Sequence, residues 1–211
     1  MLENLRDSPM AKILSDLKST IIAGFVLTVV FLIALMLWHN AGFAPDNKEW
    51  WAFVFRWLHV LSGVMWIGIL WYFNFVQIPN MGKIPDEQKP AITGVIAPSA
   101  LFWFRWGAMS TIVTGLILAW LNGYIVDAIA IGLTDGVPKH SAIGIGMWLG
   151  TIMWFNVWFI IWPNQKKALG IVQVEAAEKA AAGRTAMLFS RTNTMLSIPM
   201  LYAMVAAQNL F

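Results

Sequence analysis

Five stretches of mainly apolar residues recur along the chain: Ile21 to Trp38, Phe53 to Val76, Ala100 to Leu121, Ala142 to Trp162 and Ala186 to Ala207. Roughly 20 such residues cross the hydrocarbon core of a bilayer as a helix. The pattern therefore predicts an all-α integral membrane protein, a five-helix transmembrane bundle forming a single membrane domain over residues 1–211. About twenty mixed residues precede the first stretch and no small-residue cleavage site follows it, which predicts a retained anchor and not a secretory signal. Between the fourth and fifth stretches, Lys166 to Ala182 sets Glu175, Glu178 and Lys179 among alanines, a composition for a solvated helix that Gly183 would stop. Gly63, Gly68, Gly107, Gly115, Gly146 and Gly150 mark places where helices approach closely. The last two form a G-x-x-x-G pair, which also leaves a homodimer open.

Composition sharpens the class. Hydrophobic residues make up 59% of the 211 positions and charged ones 12%, against about 25% charged in soluble domains, and the mean hydropathy is +0.66. A soluble enzyme is excluded. Thirteen Trp and thirteen Phe suit a bilayer's interior and its two aromatic-rich interfaces. The absence of Cys excludes disulfides, thiolate metal sites, cysteine-held iron-sulfur clusters and a covalent c-type haem. The net charge of +3 fits loops facing anionic lipid, so no nucleic-acid partner is invoked.

Threading the five stretches alternately through a membrane divides Lys and Arg unevenly. Arg6, Lys12, Lys18, Lys83, Lys89, Arg105, Lys166, Lys167, Lys179, Arg184 and Arg191 fall on one side, and Lys48, Arg56 and Lys139 on the other. Positive charge collects in the cytoplasm, which predicts a cytoplasmic N-terminus and a periplasmic C-terminus.

Candidate chemistry lies on the second stretch. At 100° per residue, Arg56, His59, Gly63, Trp66, Leu70, Asn74 and Gln77 share an arc of about 80°, so one face is polar from end to end and should turn away from lipid. His59 sits about 10 Å along that helix. An inward imidazole is an axial ligand for haem iron, with Arg56 for a propionate, Gly63 leaving room for a flat ring, and Trp66 beside it. The alternative is a histidine bonded to a neighbouring helix, with Arg56 snorkelling to the headgroups. His39 and His140 read as interfacial caps, and Asp127 and Asp135 as solvated charges; no metal site is assigned. A second polar group, with Asn74, Gln77, Asn156 and Arg191, either binds a polar heterocycle or holds helix ends together.

The stretches RWLHVLSGVMWIGILWYFNF from Arg56, APSALFWFRWGA from Ala97, NVWFIIWPNQKKALG from Asn156 and SRTNTMLSIPMLYAM from Ser190 resemble the membrane domain of the bacterial cytochrome-c-linked urate hydroxylases. The resemblance implies a bacterial inner-membrane oxidoreductase that acts on urate and passes electrons to a cytochrome c domain. This chain has no C-x-x-C-H, so a separate cytochrome c or other acceptor would take that part. HVLSGVMWIG also resembles the histidine-bearing helix of small bacterial membrane proteins that bind b-type haem, which implies b-type haem at His59; the second ligand is left unassigned, with His140, His39 and a methionine such as Met65 open. The expectation is a membrane redox protein. The rival reading is a non-enzymatic accessory subunit of a larger respiratory or photosynthetic complex.

Overall fold

The computed structural model describes residues 9–38 and 45–211. His39 lies outside them. The described helices form two compact units, one ending at Asn47 and one running from Lys48 to Phe211. In the first, α1 (Pro9–Ser15) is followed by α2 (Leu17–Trp38). Asp16 caps α2, its carboxylate accepting from the Ser19 amide at 2.8 Å and the Ser19 hydroxyl at 2.7 Å, so two donors at the helix start are satisfied. Those hydrogen bonds hold the Asp16 carboxyl below its ordinary range. No α2 residue is buried, and Phe25, Val29, Phe31 and Leu35 stand exposed, as on a helix meant for lipid.

The second unit contains α3 (Lys48–Trp71), α4 (Ala97–Leu121), α5 (Ile125–Ile129), α6 (Pro138–Phe155), α7 (Trp162–Ala168) and α8 (Ala176–Asn209). Helical turns extend α3 to Lys83 and start α4 at Lys89, and four described segments are long and apolar enough to cross a membrane: Leu17–Trp38, Lys48–Lys83, Lys89–Leu121 and Pro138–Ala168. The described residues are thus all-helical in their secondary structure and membrane-compatible. The expected fifth stretch, 186–207, lies inside α8, which is not among the four. Its buried positions include the polar Ser190, Asn193 and Ser197, and these lower its hydropathy.

Two helix ends differ from the sequence pattern. Gly183 does not stop a helix: α8 begins at Ala176 and runs through it. The stop falls at Gly170, whose φ of +75° suits a residue without a Cβ after the end of α7. Three wide, π-helical turns also interrupt the spans, at Tyr72–Gln77, Ile92–Ile96 and Asn156–Ile161. A proline follows each by two residues, Pro79, Pro98 and Pro163. A proline ring clashes with the carbonyl four residues back and offers it no N–H, and a locally widened turn accommodates both defects.

Packing is pairwise. α3 lies along α4, and α6 along α8, whereas contact between the two pairs is sparse. Gly107 sets the first pairing, since a Cβ there would stand 3.2 Å from the Trp66 backbone nitrogen. Gly146 serves the second: a Cβ would stand 3.1 Å from the Met204 methyl. The first glycine of the G-x-x-x-G pair is therefore used within the chain. The pairs join through Trp66, Leu70, Phe73, Leu101, Phe104, Met153, Val157 and Met200. These residues fill the half of the bundle nearer the π-helical turns, and towards the other end the pairs part.

Candidate functional site

Where the pairs part there is a cavity of about 970 Å³, within the size range of small-molecule and cofactor sites, lined from α3, α4, α5, α6 and α8. Arg56, His59, Gly63 and Trp66 all line it. These are the four residues that the sequence pattern groups as a cofactor face. Trp71 and Trp154 line it as well.

His59 is fixed by its surroundings. Its Nδ1 lies 2.9 Å from the Thr111 carbonyl oxygen, which can only accept, so Nδ1 carries the proton and Nε2 keeps its lone pair. Gly115 lets the ring in: a Cβ there would stand 2.9 Å from His59 Cε1. A backbone carbonyl that fixes the tautomer and ring orientation is the usual support of a metal-ligating imidazole.

The other walls are permissive. Gly63, Gly68 and Gly150 line the cavity, and a Cβ built on any of them would meet nothing within 4 Å, so the three glycines cradle empty space. Trp66 is 1% exposed, and the indole N–H groups of Trp66 and Trp154 are buried without a partner. Val60, Val64, Leu116, Trp148, Leu201 and Val205 line the cavity and are themselves exposed, so its rim is apolar.

Of the second-ligand candidates, His140 is bonded to Asp135 and stacks on Tyr124 with ring centroids 5.7 Å apart, while Met65 is exposed and off the cavity. Met147, Met200 and Met204 line its walls. Asp127, Asp135 and His140 bring ligand atoms within 4.8 Å of one another, although Asp127 accepts from Thr134 and Asp135 from the Val137 amide. That amide bond, ahead of His140, holds the Asp135 carboxyl below its ordinary range.

The other polar group is distributed among helix contacts. Asn74 Nδ2 donates to Ser190 Oγ at 2.8 Å and to the Leu70 carbonyl. Asn156 Nδ2 donates to Asn193 Oδ1 at 2.8 Å, and Asn193 Nδ2 to the Met153 carbonyl at 2.9 Å. Trp71 Nε1 reaches Ser197 Oγ at 3.0 Å. Gln77 is half-buried, with its Oε1 buried and unpartnered like Asn74 Oδ1, whereas Arg191 is exposed on α8. The guanidinium in this half that packs inward is Arg105, 3.4 Å above the Trp162 ring.

Sequence reasoning missed Thr111, Tyr124 and Met204 as parts of the cavity, since each reaches it only through the pairing of helices. Gly115 had a signal, its spacing from Gly107 on one helix.

Residues 125–209 match the model of the urate oxidase N-terminal family, which bears out the resemblance over that part of the chain. The matched region comprises α5 to α8, one wall of the cavity, and the His59 wall lies outside it. The comparisons with curated proteins and with solved structures gave no match.

Proposed function

We propose that the protein is an inner-membrane redox protein of urate hydroxylase-like descent that holds a b-type haem in the cavity and passes electrons to a separate acceptor. The observation that carries this reading is His59: a tautomer-fixed imidazole facing a cavity cradled by three glycines. The residues present fit the group. His59 Nε2 would ligate the iron, Gly63, Gly68 and Gly150 would make room for the ring, and the apolar walls would exclude water. When bound, a b-type haem supplies a one-electron couple. Thr111 and Gly115 hold the imidazole in place, and the inner Trp66 wall closes the cavity against the packed half of the bundle.

In this reading α8 is the fifth span, the Arg56 end faces the periplasm and the Asn74 end the cytoplasm, as the division of Lys and Arg requires. A urate-binding role for Asn74, Gln77, Asn156 and Arg191 has less support. Asn74 and Asn156 spend donors on neighbouring helices, and Arg191 is exposed. Reduction of added cytochrome c by membranes supplied with urate tests that role directly.

The test of the main reading is spectroscopic. Purified protein from haem-replete cells should give a reduced-minus-oxidised b-type spectrum, and His59→Ala should abolish it while the helical fold survives. Folded wild-type protein without haem would overturn the reading and favour the accessory-subunit alternative.

A further inference from the structure

The cavity is chemically asymmetric along its length. Its deep portion is lined by Gly63, Trp66, Ile67, Gly68 and Met200, and the hydroxyls found along it are already used: Thr111 Oγ1 donates to the Gly107 carbonyl at 2.7 Å and Thr151 Oγ1 to the Met147 carbonyl at 2.8 Å. Uncommitted polar groups gather at the other end. Arg56 on α3, Tyr124 after α4 and Gln208 at the end of α8 all line it there, whereas Asn209, which also lines it, donates to the Val205 carbonyl at 2.9 Å. Among the described residues, Arg56, Tyr124 and Gln208 make no side-chain hydrogen bond or ion pair. Arg56 also lines the smaller neighbouring cavity of about 480 Å³, together with Lys48 and Glu49, the acid nearest to it on α3.

We infer that Arg56, Tyr124 and Gln208 form a carboxylate site at the mouth of the cavity, holding the acidic edge of an amphipathic ligand whose apolar body lies deeper. This rests on the haem reading, in which the acidic edge is the pair of propionates. A guanidinium offers a carboxylate two parallel N–H donors, and a phenol adds a third. Tyr124 is well placed to do so. Its ring is stacked on His140 and packed with Ala128, Ala142, Ile143 and Ala207, and it lines the same cavity as Arg56. The order of groups from charged mouth to apolar depth matches a ligand that lies along the membrane normal with its acids at the interface. A ligand apolar throughout would gain nothing from this end, and a free soluble acid would gain nothing from the deep portion.

Spectral titration of the haem-free chain in nanodiscs with ferric haem and with its dimethyl ester tests the site. The wild type should bind the free diacid about tenfold more tightly than the ester. Arg56→Gln and Tyr124→Phe should each remove most of that preference by weakening diacid binding alone, and Arg56→Lys should retain much of it. Equal binding of diacid and ester by the wild type would overturn the carboxylate site and leave the haem reading intact. A preference that survives both Arg56→Gln and Tyr124→Phe would overturn the assignment to these residues. Binding of neither compound by folded protein would overturn the haem reading, and this inference with it.

Discussion

Asn156 and Asn193 meet across the interface of the fourth span and α8, the amide of the first donating to the carbonyl oxygen of the second at 2.8 Å. Both are buried, and Asn193 is 0% exposed. The pair lies beside the π-helical turn that begins at Asn156, and Asn193 also satisfies the Met153 carbonyl one turn earlier. Polar pairs of this kind join helices where the apolar effect supplies no attraction between them. Asn193→Ala should therefore lower the stability of the purified protein by about 1–2 kcal/mol, seen as a lower midpoint of thermal unfolding followed by circular dichroism. An unchanged midpoint would show that the pair is not what couples α8 to the fourth span.

Gly115 and Gly107 lie on the same helix and predict different losses. Gly115→Ala places a methyl group 2.9 Å from the His59 ring and should displace the imidazole, lowering haem content with little effect on stability. Gly107→Ala presses on the Trp66 backbone, which has no flexible end to move, and should cost about 1–3 kcal/mol of stability. Haem-to-protein ratio and thermal midpoint, measured on both variants, separate the two effects.

Cavity filling gives a complementary outcome. A Cβ on Gly63 or Gly150 meets nothing within 4 Å, so Gly63→Leu and Gly150→Leu should change unfolding by no more than about 1 kcal/mol, the difference in helix propensity between glycine and an ordinary residue, while reducing haem uptake several-fold. Full haem occupancy in both variants would place the cofactor elsewhere.

Orientation is tested by single cysteines, which the natural chain lacks. With an impermeant thiol reagent applied to spheroplasts, Lys139→Cys should label and Lys83→Cys should not. The opposite result would reverse the threading and put the Arg56 end in the cytoplasm.

The Asp135 loop should respond to acid. Its carboxyl is depressed below 3.8 chiefly by the hydrogen bond from the Val137 amide, and a depressed carboxyl contributes stability that is present above its unfolded value and lost as pH falls through the folded one. Hydrogen exchange at the Val137 amide should therefore stay slow above about pH 4 and quicken below it, after correction for the intrinsic pH dependence. In Asp135→Ala the corrected rate should be fast throughout.

Apolar run length established the helical membrane class from sequence, because a bilayer imposes the same requirement on any chain that crosses it. Helical periodicity placed Arg56, His59, Gly63 and Trp66 on one face, since 100° per residue is a local property of the backbone. What that face meets is decided by other helices. The Thr111 carbonyl that orients His59 lies 52 residues away in the chain, and Asn74 and Asn156 became helix contacts only when Ser190 and Asn193 packed against them. The wide turns before Pro79, Pro98 and Pro163 were also hidden, because a proline can kink a helix, end it or widen a turn, and the packing around it selects the outcome. The cavity belongs wholly to tertiary structure: two helix pairs meet tightly at one end and part at the other, and no local pattern encodes the space left between them.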